Sequence, residues 1–386
     1  MEKRIDRVNK IKKKYLGLGL LFIVVIGLLY LYFNIPVRTS IFRRIAPSST
    51  YLLCDNDTIY NFGYFGVKKY VHTKTGEVEA VAENNDFIHN CLVGYLIGRS
   101  GAISGNYLYV AARSYLGGIY KSNEKGYLKG KLLIMNRYDL HVIREYESDY
   151  SMIETDIYDK IMVVGGLQGF NIYDIDNPIR PKIVYTFRSE KALEFQGGDF
   201  FEANGRLYYA FARFSNGISI YDITKPDSTF LVKNIELREL DENIDKKYGL
   251  QCFRLVSDYP YLYATLGPVK ESLGSFLDKR GLMVIDVSNM DSLVFYTSLV
   301  PKEKYYTTVT GDPQPSHIAI TKNKIYLNFA EKGIAVFSKP TDRRTSHFID
   351  FLNINEGNMI LPICTNGEYL FAGSNNSSHI YTYKIP

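Results

Sequence analysis

The chain has 386 residues, of which 46% are hydrophobic, 14% aromatic and 23% charged, an ordinary globular composition. It excludes intrinsic disorder, a collagen-like fibre and a small disulfide-rich scaffold, because apolar residues are abundant and there are only four cysteines. The net charge of +5 comes from residues 1–14, and the rest of the chain carries 39 basic and 39 acidic residues. This balance offers no basic surface, so we expect no nucleic-acid partner.

Residues 15–33 form a stretch of 19 residues without a charged side chain. At about 1.5 Å per residue, a helix of this length covers roughly the 30 Å of a bilayer's hydrocarbon core. We therefore predict a basic segment over residues 1–14, an uncleaved transmembrane signal-anchor helix over residues 15–33 and a linker over residues 34–49. A cleaved signal peptide is the alternative, but it would have a shorter apolar region and a small-residue cleavage site.

Basic residues flank this stretch unequally. Seven Lys and Arg precede it, whereas only Arg38, Arg43 and Arg44 follow closely. The positive-inside bias then leaves the N-terminus in the cytoplasm and residues 34–386 on the other side. We therefore expect a single-pass protein of the cell membrane whose bulk is extracytoplasmic, in the periplasm or at the cell surface.

One unit recurs beyond residue 50. It starts with glycine, continues with β-branched and aromatic residues, and ends in a turn rich in Asp and Pro; the copies lie at 169–178, 217–226, 281–290 and, in shorter form, 333–340. Apolar runs precede and follow each copy, so the unit is interpreted as four antiparallel strands. Both alternating sets of side chains in 281–287 are apolar, which is typical of a strand covered on two faces. Repeated sheets of this kind predict an all-β fold, a β-propeller over residues 50–386.

The number of blades follows from the third strand of each unit. Seven candidates occur, near Gly66, Lys131, Gly169, Gly217, Gly281, Gly333 and His379. Seven blades are favoured, and six remain an alternative if the weak first unit merges with the last. Because the chain stops at Pro386, the last unit has no residues for a fourth strand. We expect residues 50–54 to supply that strand and close the ring.

Two segments carry a resemblance to a known family. Residues 281–289 (GLMVIDVSN) and 105–112 (GNYLYVAA) resemble the LVIVD-repeat family, and further copies extend the resemblance over residues 100–340. This chain departs from the repeat at Met290, where a proline is expected. The resemblance implies a surface-exposed or secreted propeller of bacteria or archaea, with no particular chemistry. The chain has no tryptophan, which argues against WD40 repeats.

The cysteines and histidines form no metal-binding motif. The four cysteines are widely separated in sequence, at Cys54, Cys91, Cys252 and Cys364. We expect them to be small buried residues, although an oxidising compartment would permit disulfides. The six histidines lack the spacing of a zinc site, and the chain has no glycine motif for phosphate or a dinucleotide. We therefore expect no metal and no cofactor.

One set of positions comes from the repeats themselves. The units can be aligned on the aromatic residue of the second strand, and the residue nine positions earlier then starts the innermost strand. These residues are Ser100, Ile153, Asp199, Arg254, His317 and Pro362. Asp199, Arg254 and His317 are therefore candidate ligand-binding residues at the mouth of the central channel. Solvated strand ends are the alternative explanation. Insertions at 113–130, 236–249 and 267–280 would add long loops, which often carry binding.

These observations favour a binding or scaffold module for a protein or glycan ligand. The alternative is an enzyme, a glycan lyase, hydrolase or dehydrogenase, with its site at the channel mouth. An enzyme would bring several histidines, arginines and carboxylates to one face, whereas only three residues qualify here, and no catalytic residue is assigned. A structural partner in an envelope complex is a third possibility.

Overall fold

The computed structural model describes residues 49–63, 66–73, 76–85, 95–115, 130–189, 195–237, 250–268, 280–301, 316–329, 332–341, 346–352, 360–374 and 380–385. The predicted basic segment 1–14, the predicted anchor 15–33 and most of the linker lie outside these residues. Within the described ranges, no helix is both long enough and apolar enough to cross a membrane.

The strands form seven separate antiparallel sheets, which follow one another along the chain as blades 1 to 7. Blade 1 contains β1 (Tyr51–Asp55), β2 (Thr58–Gly63), β3 (Gly66–His72) and β4 (Val78–Asn84). Blade 2 contains β5 (Tyr95–Ser104), β6 (Tyr107–Tyr115), β7 (Gly130–Asn136) and β8 (Val142–Glu147). Blade 3 contains β9 (Met152–Tyr158), β10 (Ile161–Gly166), β11 (Gly169–Asp174) and β12 (Lys182–Arg188). Blade 4 contains β13 (Gly198–Ala203), β14 (Arg206–Ala212), β15 (Ile218–Asp222) and β16 (Phe230–Ile235), with a 3-10 turn at Pro226–Ser228.

The remaining three blades repeat this order. Blade 5 contains β17 (Leu250–Gln251) and β18 (Leu255–Asp258), which both pair with β19 (Tyr261–Pro268), followed by β20 (Gly281–Asp286) and β21 (Val294–Leu299). Blade 6 contains β22 (Ile318–Ile320), β23 (Lys324–Asn328), β24 (Ile334–Ser338) and β25 (Phe348–Leu352). Blade 7 contains β26 (Ile360–Thr365), β27 (Tyr369–Ser374) and β28 (Ile380–Lys384).

The first strands of the blades surround a common centre. β1 contacts β5, β5 contacts β9, and the series continues through β13, β18, β22 and β26 until β26 contacts β1 again. These contacts close the seven sheets into a β-propeller. Seven blades are therefore confirmed, and the alternative of six is excluded. The third strands near the seven positions identified from the repeats are confirmed as well.

The core consists of seven apolar clusters, one between each pair of neighbouring blades. The cluster between blades 3 and 4 is aromatic, with the rings of Phe170, Phe195 and Phe211 4.8–5.3 Å apart. Every residue of β20 is buried, because blades 4 and 6 cover its two faces. This agrees with the two apolar sets of side chains seen in the sequence.

The predicted closing strand is in the wrong blade. β1 does not pair with blade 7 but forms a hairpin with β2, from Tyr51 opposite Phe62 to Asp55 opposite Thr58. The reason is the short connection between them: only Asn56 and Asp57 separate the strands, and so tight a turn pairs neighbouring strands in antiparallel fashion. Among the described residues, blade 7 has three strands.

Blades 1 and 7 are joined by a disulfide between Cys54 and Cys364, whose Cα atoms are 5.9 Å apart. The expectation that these cysteines are unpaired small residues is therefore wrong. The two positions are 310 residues apart in sequence, and only ring closure brings β1 beside β26. Cys252 is a buried free cysteine, as expected. Cys91 lies outside the described residues.

Candidate functional site

A two-residue turn joins the first two strands of every blade, and this fixes equivalent positions around the channel. In each blade, one residue of the innermost strand is the last to pair with the second strand before the turn. These residues are Asp55, Ser104, Tyr158, Ala203, Asp258, Thr321 and Asn366. Because each turn has the same length, the residue four positions before these ends occupies the same place in each blade. We call these seven residues the central ring: Tyr51, Ser100, Glu154, Asp199, Arg254, His317 and Pro362.

The column of residues found from the sequence differs from the central ring at two places. In blade 3 the ring position is Glu154 and not Ile153, because Val163 stands where the other blades used for the alignment have an aromatic residue. Because this aromatic residue is missing, the sequence alignment of blade 3 is shifted by one residue from the register of the structure. Blade 1 contributes Tyr51, which the column did not contain.

Arg254 is buried at the centre of the ring and forms an ion pair with Glu154. Its Nη2 donates a hydrogen bond to Oε2 of Glu154, two blades away, and the two residues are 9% and 4% exposed. The guanidinium carbon also lies 4.5 Å from the centre of the Tyr51 ring. Arg254 therefore connects blades 1, 3 and 5 across the channel, and it is not a solvated strand end.

Asp199 is held in place by the neighbouring blade. Its Oδ2 accepts hydrogen bonds from the backbone N–H and the hydroxyl of Ser257, at 2.7 and 2.9 Å, and its Oδ1 accepts one from the N–H of Phe200 at 2.8 Å. A further hydrogen bond joins its side chain to that of Asp156 on β9. Asp156 and Asp199 are both half-buried residues.

His317 also lies near Tyr51. The two ring centres are 6.5 Å apart, and Nδ1 of His317 is 3.0 Å from the hydroxyl oxygen of Ser316. The backbone N–H of His317 donates a hydrogen bond to Asn328. The three residues predicted from the sequence, Asp199, Arg254 and His317, thus surround the same centre, and Tyr51 lies near both Arg254 and His317.

Burial and charge shift the pKa values of the carboxyl pair. Burial, the charge of Asp199 and the charge of Glu154 together raise the pKa of Asp156 well above its usual range. Burial also raises the pKa of Asp199, but the hydrogen bonds from Ser257 and Phe200 oppose this increase. Both carboxyl groups therefore have pKa values raised by their burial.

The pKa of Arg254 is shifted in the direction that favours its charged form. Burial lowers its pKa, but the charge of Glu154, the interactions with Tyr51 and Tyr209 and the hydrogen bond to Glu154 together outweigh this effect, so the pKa of Arg254 is raised and the side chain stays charged. An anionic ligand would have to compete with Glu154 for this cation.

Two glycines allow these side chains to approach the backbone of blade 4. A Cβ atom on Gly197 would lie 2.7 Å from Nε of Arg254, and one on Gly198 would lie 2.7 Å from the hydroxyl oxygen of Tyr209. Contacts this close leave no room for any side chain larger than hydrogen. The glycines therefore admit Arg254 and Tyr209 to the centre.

Sequence reasoning missed Tyr51, Glu154, Asp156 and Tyr209. A count from the two-residue turns would have found Tyr51 and Glu154, but Asp156 and Tyr209 enter the centre only through the packing of blades 3 and 4. Within the described part of the chain, no group of three or more His, Cys, Asp and Glu could hold a metal ion. Most of the three predicted loops, residues 116–129, 238–249 and 269–279, lies outside the described residues.

Comparison with protein families agrees with the repeat analysis. The LVIVD repeat family model matches residues 99–117 and 277–299. This confirms the resemblance to LVIVD-repeat β-propellers stated from the sequence. No curated protein matches the chain.

Solved structures with a similar fold are β-propellers. The WD40 domain of Pan2 from Neurospora crassa is similar over 89% of this chain and 90% of that chain, with 12% identity and a TM-score of 0.59. The WD40 propeller domain of Doa1 is similar over 87% and 92%, with 10% identity and a TM-score of 0.55. Sqt1 from Saccharomyces cerevisiae is similar over 88% and 83%, with 10% identity and a TM-score of 0.54. At these identities the likeness shows the fold alone.

Proposed function

We propose that this protein is a membrane-anchored, extracytoplasmic β-propeller that acts as a binding or scaffold module for a protein or glycan ligand. The uncharged residues 15–33 and the seven basic residues before them support the anchor and its orientation. The disulfide between Cys54 and Cys364 supports the extracytoplasmic location, because disulfides persist in oxidising compartments and are rare in the cytosol.

The arrangement of the side chains in the central ring is the main support for a binding role. Its charged groups hold one another in fixed positions, Arg254 with Glu154 and Asp199 with Ser257. Asp156, Asp199 and Tyr51 nevertheless remain partly exposed. Polar groups that are already positioned and can still be reached bind a ligand with little further loss of entropy. A rigid ring of seven blades keeps them in that arrangement.

One observation favours the enzyme alternative. Asp156 and Asp199 share a hydrogen bond and have pKa values raised by burial, and paired carboxyl groups of this kind occur in acid–base catalysis. Hydrogen-bonded carboxyl groups are, however, closer than the roughly 5–9.5 Å that glycoside hydrolysis requires. The pair therefore supports hydrolysis of a glycan less well than it supports binding.

The location predicts a specific labelling result. In intact spheroplasts, we expect external protease to remove the propeller and leave a short membrane-bound N-terminal fragment. Cys54 and Cys364 should react with maleimide only after reduction, because their sulfurs are bonded to each other. Full protection from protease, together with thiols that react without reduction, would contradict the proposed location.

Binding and catalysis predict different outcomes for bound material. The full-length chain in lipid nanodiscs is incubated with envelope extract, and the bound fraction is analysed by mass spectrometry. We expect one component to be retained unchanged and in stoichiometric amount. Asp199→Asn, which removes one charge of the centre at constant size, should release that component. A released product of altered mass that accumulates with time would instead support the enzyme alternative, and no retention would contradict the binding role.

A further inference from the structure

We propose that the centre of the ring binds a protonated primary amine of the ligand, held by the carboxyl groups of Asp156 and Asp199 and the hydroxyl of Tyr209. This inference rests on the proposed binding function and names the chemical class of the group that is bound. Three observations carry it: an excess of negative charge, a buried hydroxyl without a partner among the described residues, and the partial exposure of Asp156 and Asp199.

The charges around Tyr209 do not balance. Three carboxyl groups, Glu154, Asp156 and Asp199, and one guanidinium, Arg254, act on its hydroxyl. Arg254 is already paired with Glu154. Even when the shared proton neutralises Asp156, Asp199 leaves one negative charge uncompensated among these four groups. A buried charge is stabilised by a partner of opposite sign, so a ligand with a single positive charge fits the deficit.

The hydroxyl of Tyr209 points to the same place. Tyr209 is 1% exposed, and its oxygen has no hydrogen-bond partner among the described residues. Leaving a buried hydroxyl unpaired is costly, so such an atom indicates a group that is present in the functional state. The hydroxyl lies beside Gly198, and the charges of Asp156 and Asp199 both act on it. We place the ammonium group among these three side chains.

The geometry selects an ammonium group over other cations and over anions. An ammonium group has three N–H donors, which matches two carboxyl groups and one hydroxyl as acceptors. A metal ion is disfavoured, since no group of three or more potential ligands among the described residues could hold one. An anion would meet Asp199 and would have to displace Glu154 from Arg254. Because Asp156 and Asp199 are only half-buried, an amine on a slender chain can reach them while the ion pair stays intact.

Binding should release a proton. The pKa of Asp156 is raised in the free protein, and an ammonium group beside it favours the ionised carboxylate. The charged groups that face Asp156 are Asp199 on β13, Glu154 on its own strand and Arg254 next to β18. Affinity should therefore rise as the pH increases, until the amine itself loses its charge. The proton released is measured by calorimetry in buffers of different ionisation enthalpy.

The test uses the full-length chain in nanodiscs and three probes: cadaverine, N-acetyl-lysine methylamide and the neutral alcohol pentanol. We expect one or both amines to bind with release of a proton and pentanol not to bind. Cadaverine alone indicates a free polyamine as the source, whereas the lysine derivative indicates a lysine side chain of a protein partner. Asp156→Asn and Tyr209→Phe should each weaken binding about tenfold or more, the effect of losing one hydrogen bond to a charged group.

Two features separate this result from a general loss of structure. Asp156→Asn keeps the size and the neutral state of the group, and Tyr209→Phe removes an unpaired hydroxyl, so neither should lower the melting temperature. Asp227→Asn removes an exposed carboxylate of the 3-10 turn and should leave binding unchanged. Amine binding that persists in both central variants, or no amine binding at all, would overturn the proposal. If the chain still retains an envelope component in that case, the proposed binding function stands without it.

Discussion

Removal of the Cys54–Cys364 disulfide is expected to lower the free energy of unfolding by about 2–5 kcal/mol, towards the upper end of that range. The cross-link spans 310 residues, and in the chain-entropy model a longer closed loop restricts the unfolded chain more strongly. The effect is expected to be large for a second reason. Among the seven apolar clusters of the described residues, the one between blades 7 and 1 is the smallest, with Leu52, Ile59, Tyr70 and Phe371 as its buried members. The disulfide reinforces the weakest interface of the ring.

The measurement is denaturant unfolding of the full-length chain and of the double variant Cys54→Ser and Cys364→Ser, each with and without reductant. Reductant should destabilise the unmodified chain to the level of the double variant and should leave the variant itself unchanged. Cys252→Ala is the control, because it removes a buried thiol that forms no cross-link, and this variant should remain sensitive to reductant. An unmodified chain whose unfolding midpoint does not respond to reductant would show that the disulfide adds nothing to closure.

Arg254→Met is expected to destabilise the fold by about 3–5 kcal/mol, the cost of leaving one partner of a buried ion pair without the other. Glu154 would lose its cation in a site where it is 4% exposed. The stacking of the guanidinium on Tyr51 would be lost as well. The double variant Arg254→Met and Glu154→Leu should recover most of this loss, because replacing both charges by apolar groups of similar volume is often neutral or stabilising.

A double-mutant cycle measured by urea unfolding isolates the energy of this pair. Lys160→Met is the matched control: Lys160 pairs with Asp176 at 2.6 Å, but both side chains are more than 60% exposed. That variant should leave the free energy of unfolding nearly unchanged. An equally small loss for Arg254→Met would mean that water already reaches the ion pair of Arg254 and Glu154.

The blade pattern follows from local features of the sequence. The third strands of blades 3 to 6 could be found because a starting glycine, a run of apolar residues and a turn rich in Asp and Pro are such features. Each strand is covered by the neighbouring blades on both faces, so its residues are apolar on both faces whatever the rest of the ring does. Asp199, Arg254 and His317 were found because the units can be aligned on the aromatic residue of the second strand, and a constant spacing then places equivalent residues at the same height around the channel.

The closure of the ring and the meeting of side chains at its centre depend on contacts between distant parts of the chain. Tyr51 and Arg254, like Glu154 and Arg254, belong to blades that are not neighbours in the chain, and the last pair is 100 residues apart. Cys54 and Cys364 are adjacent because seven blades, and not six, complete the circle. Contacts of this kind depend on the sum of the angles between all blades. A local pattern contains no information about that sum, and the partners across the channel become definite only when the last blade meets the first.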